Sequence, residues 1–204
     1  MEAGDAVRRR IRHGASMAVV AVVVTVLIGY LLGSIPIARL TTGRDLRTVG
    51  DRNPGYWNAK ETVGRRAAVP VFVGDVAKGA LAAAVGLWLA PEGDWWVGYL
   101  GGLAAMVGHA WPVFDRFRGG RSVLCFVGAI CVLSPVTALV AVGVLALVYA
   151  ATRSFAWGAR AGVFAVPFVQ LVVDGPYRTA MTGVLMTFIG LRFALAARPT
   201  PDPS

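Results

Sequence analysis

Charge is what this chain has least of. Only 15% of its 204 residues are Asp, Glu, Lys or Arg, against 56% that are hydrophobic, and the mean hydropathy is +0.64. A soluble domain of this length can bury a core without giving up so much charged surface, so the scarcity argues against an ordinary soluble fold. Acids are scarcer than bases: 11 Asp and Glu against 20 Lys and Arg leave a net charge of +9. In a chain this apolar the excess collects in cytoplasmic loops and sets topology, which argues against a nucleic-acid partner. Cysteine is nearly absent. Cys125 and Cys131 lie six apart in an apolar run, where helical geometry points them to different sides, so packing is expected of them rather than a disulfide or a metal pair. No internal repeat or soluble domain is visible, and residues 1–204 read as one membrane domain.

What the chain does have is long apolar runs, at 17–40, 67–90, 123–151, 161–173 and 180–197, with a further apolar stretch at 96–114. About 20 such residues span a bilayer as a helix. The expected fold is therefore all-α, a polytopic transmembrane bundle of about seven helices. Pro36 is expected to kink the first helix (17–40), and Ser134-Pro135 to divide 123–151 into a short helix and a longer one. The basic N-terminal arm, 1–16, looks like the start of a signal peptide. The apolar run that follows is too long for one, and an uncleaved first helix is expected. The proline-rich tail 198–204 is expected to be disordered.

Seven helices place the loops at 41–66, 115–122 and 152–160 on one face together with the C-terminus. They carry most of the Lys and Arg, so this face is expected in the cytoplasm. Arg8, Arg9, Arg10 and Arg12 argue the other way, since they fall on the opposite side of the first helix.

Candidate chemistry gathers in the two long polar loops. In "RFRGGRS" (116–122), Gly119 and Gly120 allow backbone N–H groups to turn toward an anion, and Arg118 and Arg121 supply forked cationic donors. A helix starting at or just after Ser122 would add its positive end. From the residues alone, a phosphate cradle and a positively charged topology loop are equally good readings. His109, before Trp111 and Pro112, can be a hydrogen-bonded structural residue or a base. In "GDRNPGYWN" (50–58), Asn53-Pro-Gly reads as a turn, and the amides of Asn53 and Asn58 can fix the loop or bind a polyol. Asp75 and Lys78 stand three apart on one helix face, where they can pair inside the bundle.

The order of "GYLLGSIP" (29–36), "DLRTVGDRNPGYWN" (45–58), "GDVAKGAL" (74–81) and "GHAWPVFDRFRGGRS" (108–122) resembles the integral-membrane glycerol-3-phosphate acyltransferases that use acyl phosphate as donor. The resemblance covers about 27–135 by motif and the remainder by hydropathy. It implies a seven-helix bundle in the plasma membrane with its active face in the cytoplasm. The implied reaction moves a fatty acyl group from acyl phosphate to position 1 of glycerol 3-phosphate, giving lysophosphatidate, with no metal or nucleotide cofactor. Membrane lipids surround it, and both substrates carry phosphate. Catalytic roles fall on Arg121, His109 and Asn58, and phosphate binding on Arg118, Gly119, Gly120, Arg121 and Ser122. Asp51, Asn53, Lys60, Asp75, Lys78 and Arg192 are expected on the acceptor side or in the loop framework.

The chain departs from the family pattern where the acceptor is bound. Asp51 stands for a serine, Tyr56-Trp57 for Ala-Thr, and Glu61 for an arginine. In "RFALA" (192–196), Arg192 remains while Phe193 and Ala196 replace a histidine and an asparagine. Three readings follow: an acyltransferase with a rearranged acceptor site, a member acting on another acceptor or lipid phosphate, or a non-catalytic membrane protein that binds anionic lipid or a partner protein.

Overall fold

A computed structural model describes residues 2–196, with side chains from Ser16 onward. It contains nine α-helices among the described residues: α1 (Glu2–Gly33), α2 (Ile37–Thr42), α3 (Tyr56–Thr62), α4 (Arg65–Leu89), α5 (Trp96–Ala110), α6 (Val123–Leu133), α7 (Pro135–Thr152), α8 (Phe155–Val173) and α9 (Pro176–Ala196). Among the described residues, six segments are long and apolar enough to cross a membrane, and α6 is a further, shorter apolar helix. The seven-helix bundle expected from hydropathy is the one found. Residues 2–15 are helical and continuous with α1. The tail at 198–204 lies outside the described residues.

Several boundaries differ from expectation, each for a local reason. Pro36 ends the first helix instead of kinking it, because it has no N–H to continue the ladder. The Ser34 hydroxyl turns back onto the Tyr30 carbonyl (2.8 Å), and the chain restarts as the six-residue α2. The fifth helix stops at Ala110 rather than 114, two residues before Pro112. Helix α3, within the polar 41–66 segment, was not foreseen because seven residues are too few for a periodic signal. Helix α8 begins at Phe155, where the Ser154 side chain caps the Trp157 N–H, and Arg160 is therefore helical.

The bundle is drawn together by small residues. A Cβ at Gly33 would collide with the Ala105 carbonyl of α5, and one at Gly128 with the Val76 carbonyl of α4. Lipid supplies no hydrophobic drive between helices, so close backbone contact of this kind has to supply the packing. The buried core runs along α5 and α6 through Tyr99, Met106, Phe126, Ile130 and Leu133, with Val166 and Leu185 from α8 and α9. Large apolar side chains face outward, among them Trp88, Leu147, Phe168 and Val172, as they should where lipid is the solvent.

Helix α6 has 11 residues, about 16 Å of helix against a hydrocarbon core of about 30 Å. Its first turns are replaced by backbone that descends beside α5. The Gly119 N–H donates to the Ala110 carbonyl and the Gly120 N–H to the His109 carbonyl, both at 3.0 Å. Ser122 Oγ then donates to the Met106 carbonyl at 2.7 Å. Irregular backbone at this depth is tolerated only where it is buried in protein or lines a cavity. Here it does both.

Candidate active site

The cavity is an open cleft of about 400 Å³, solvent included, where the C-terminal ends of α1 and α5 meet the middle of α4. The break after α1 and helix α2 contribute Ile35, Pro36 and Arg39. The following loop contributes Arg44, Asp45 and Pro54. Asp75 and Lys78 come from α4, His109 from α5, and Asp115, Arg118, Gly119 and Gly120 from the segment before α6. The two polar loops that sequence placed on one face therefore meet, and three buried ionisable groups form the floor between them.

That floor is a single connected set. Lys78 Nζ lies 2.8 Å from Asp75 Oδ1, and His109 Nδ1 lies 3.4 Å from the same oxygen. Asp75 is 2% exposed, Lys78 4% and His109 8%. Lys78 also donates to the Ile35 carbonyl at 3.3 Å, which lies next to Pro36, where the first helix breaks. The i,i+3 spacing showed that Asp75 and Lys78 can pair. Nothing local in the sequence showed that His109, 34 positions from Asp75, would complete the group.

The loops are pinned by ion pairs. Arg47 donates to Asp45 through Nε (2.7 Å) and Nη2 (2.6 Å), and to the Asp115 and Arg118 carbonyls through Nη1 (3.0 and 3.1 Å). These bonds with Arg47 hold the Asp45 carboxyl at about 2, below its ordinary 3.8. Asp115, 6% exposed, receives Arg39 Nη1 at 2.9 Å and lies 3.2 Å from Arg47 Nη2. Asp115 and Arg47 were not singled out in the sequence. A carboxylate amid so basic a segment was the available signal.

Several expected site residues take other positions. Gly119 and Gly120 line the cleft, but their N–H groups are engaged by the α5 carbonyls and do not turn toward an anion. Their need for glycine is steric: a Cβ on either would run into His109. Ser122, 1% exposed, uses its hydroxyl to fasten the loop to α5. Helix α6 does begin after it, with Ser122 in the left-handed region (φ 65°).

Asn58, 1% exposed, does not line the cleft. Its amide nitrogen donates to the Leu46 and Val49 carbonyls at 2.8 and 2.9 Å, so it shapes the loop. Asn53 belongs to the turn, its N–H donating to Asp51 Oδ1 at 3.1 Å. Lys60 lies over Trp57 at 4.7 Å, away from the cleft.

Arg121 stands outside the cleft lining. Its Nη1 is 3.0 Å from Asp51 Oδ2, and its guanidinium lies 5.0 Å from the centre of the Phe193 ring. The substituted residues Asp51 and Phe193 thus converge on one arginine. Arg192 donates to the Gly120 carbonyl through Nε (3.2 Å) and Nη2 (3.1 Å), with Trp111 beneath it at 4.7 Å. It braces the back of the loop. Among the described residues, no group of three or more His, Cys, Asp or Glu is placed to hold a metal ion.

The chain is similar to known proteins over most of its length. The family model described as glycerol-3-phosphate acyltransferase matches residues 23–197. The chain is 36% identical over 194 residues to "Glycerol-3-phosphate acyltransferase 5" of Dehalococcoides mccartyi, covering 89% of this chain and 78% of that one. It is 32% identical over 164 residues to the glycerol-3-phosphate acyltransferase of Clostridioides difficile, covering 77% and 80%. Among solved structures it superposes on PlsY (YgiH), an integral membrane glycerol 3-phosphate acyltransferase in its glycerol 3-phosphate form. The TM-score is 0.75 at 30% identity, covering 85% of this chain and 88% of that one. The lysophosphatidic acid form matches with a TM-score of 0.72.

Proposed function

Since the chain belongs to the glycerol-3-phosphate acyltransferase family, we propose that it transfers a fatty acyl group from acyl phosphate to position 1 of glycerol 3-phosphate at the cytoplasmic face of the plasma membrane. The observation that carries this reading is the cleft itself. It joins Lys78, His109 and Arg118 beside the polar loops of a bundle whose outer surface is apolar. A donor with an acyl chain and a phosphate head fits such a boundary, with the chain along the helices and the head among the cations.

In the reaction the acceptor's hydroxyl oxygen forms a bond to the acyl carbonyl carbon. The bond from that carbon to the phosphate oxygen breaks, and inorganic phosphate leaves with the electron pair. His109, fixed by Asp75, is the imidazole in the cleft available to receive the hydroxyl proton. Arg118 attracts the donor phosphate, and Arg121 joins it when phosphate displaces Asp51. Most of the acceleration comes from orientation and from preplaced positive charge.

Purified protein in lipid, supplied with acyl phosphate and glycerol 3-phosphate, tests the reading through release of inorganic phosphate. Release that depends on glycerol 3-phosphate supports it. Acyl-phosphate hydrolysis at the same rate without acceptor overturns it.

A further inference from the structure

The charges of the cleft pair off unevenly. Three carboxylates face it, Asp45, Asp75 and Asp115. Asp45 is held by Arg47, Asp75 by Lys78, and Asp115 by Arg39 together with Arg47. Two lining cations are left over. Among the described residues, the guanidiniums of Arg44 and Arg118 have no hydrogen-bonding, ionic or ring partner, and both are exposed. A phosphate monoester carries about −1.5 to −2 near neutral pH, close to the charge these two arginines leave unbalanced.

They stand on different walls. Arg118 belongs to the loop that enters the bundle ahead of α6, whereas Arg44 follows α2, in the polar loop beyond the end of the helix. Its backbone is fixed although its side chain is free. Gly43 takes the left-handed conformation (φ 66°) and its N–H returns to the Arg39 carbonyl at 3.0 Å. The Arg44 N–H donates to Thr42 Oγ1 at 3.2 Å, and that hydroxyl donates to the Ala38 carbonyl at 2.6 Å. A rigid base thus carries an uncommitted guanidinium over the cleft. The residues that the resemblance assigns to the acceptor are replaced in this chain by Glu61, Phe193 and Ala196.

We propose that Arg44 is a specificity-determining residue that binds the phosphate of the water-soluble acceptor. This rests on the acyl-transfer reading. The donor, anchored by its chain, presents its head beside Arg118 on the segment that enters the bundle, while a fully polar phosphate ester enters past Arg44, in the loop beyond α2. The fork of the guanidinium suits two phosphate oxygens at once.

The test combines kinetics with direct binding of radiolabelled glycerol 3-phosphate to the full-length protein in lipid nanodiscs. Arg44→Ala should raise the KM and the Kd for glycerol 3-phosphate about ten- to a hundredfold, the usual cost of losing hydrogen bonds to a charged group. The KM for acyl phosphate should stay within about twofold. Arg44→Lys should fall between, and Arg65→Ala, an exposed arginine outside the cleft, should match the parent. Unlabelled inorganic phosphate should compete for the label, and glycerol should not. Unchanged glycerol 3-phosphate affinity in Arg44→Ala overturns the proposal, as does a change confined to the KM of the donor. Binding that depends on Arg44 in a protein whose phosphate release ignores the acceptor would sustain Arg44 and refute the acyl-transfer reading instead.

Discussion

The buried pair Asp75–Lys78 should respond asymmetrically to removal of its two partners. Both side chains are at most 5% exposed and 2.8 Å apart, so neither charge can be restored by water. Asp75→Asn removes the counter-charge and leaves Lys78 only neutral acceptors, the Ile35 carbonyl and the new amide oxygen. Breaking one side of a fully buried pair costs about 3–5 kcal/mol, because the surviving charge stays desolvated. Lys78→Met removes the ammonium but leaves the carboxylate beside His109 Nδ1, 3.4 Å away, a neighbour that can take up a proton and become its counter-charge, so it should cost less. The double variant Asp75→Leu with Lys78→Met removes both charges and should be more stable than Asp75→Asn. Thermal unfolding in detergent can be followed by a thiol-reactive fluorophore, since Cys125 is fully buried. The exposed Cys131 is first replaced by Ala. A double variant that melts at or below Asp75→Asn would refute the argument, and so would equal losses from the two single changes.

Other expectations follow from the loops and helix contacts. Asp51→Asn frees Arg121 from a partly exposed pair worth at most about 1 kcal/mol, so the melting temperature should barely move while the KM for phosphate substrate falls. An increase in KM would show that Asp51 aids binding. Gly120→Ala puts a methyl group against His109 Nε2 and should reduce turnover severely, which the phosphate-release assay reads directly. The Asp45 carboxyl sits near 2, well below its ordinary value, because Arg47 bonds it. The order it gives the loop is therefore complete above about pH 4 and is lost as pH falls toward 2. Hydrogen exchange over residues 43–55 should show that loss, and Asp45→Asn should abolish it. Gly128→Ala forces α6 off the Val76 carbonyl and should destabilise by about 1–3 kcal/mol, seen as a lower melting temperature.

The apolar runs and Pro135 disclosed the seven apolar helices, the face on which the loops meet and the starts of α6 and α7. These features are local or periodic, and composition reports them well. The same patterns could not show that the segment before α6 enters the bundle, because what holds it there is the bonding of Gly119, Gly120 and Ser122 to α5 carbonyls. They missed α3, whose seven residues carry no usable period. They also left His109 as an isolated residue, since its bond to Asp75 joins two helices across the fold. The motifs predicted the loop contacts only by resemblance, and the roles of Ser122 and Asn58 changed when their hydroxyl and amide proved to be bonded to backbone.

The glycines at 119 and 120 connect these observations. A phosphate cradle would need their N–H groups free, yet both are bonded to the end of α5, in place of helical continuation there. That bonding holds the segment against His109, brings Arg118 to the cleft wall and leaves α6 to start one turn below the end of α5, where Ser122 reaches Met106. The positive charge at the site thus comes from side chains, with the glycines acting through their lack of a Cβ. It follows that anion affinity should depend on the arginines individually and on the glycines only through their packing. A single Arg118→Ala change should weaken phosphate binding while leaving the melting temperature intact, whereas Gly119→Ala, which drives a methyl into the His109 carbonyl, should lower both. Equal thermal stability of the two variants would mean that the glycines serve the anion directly after all.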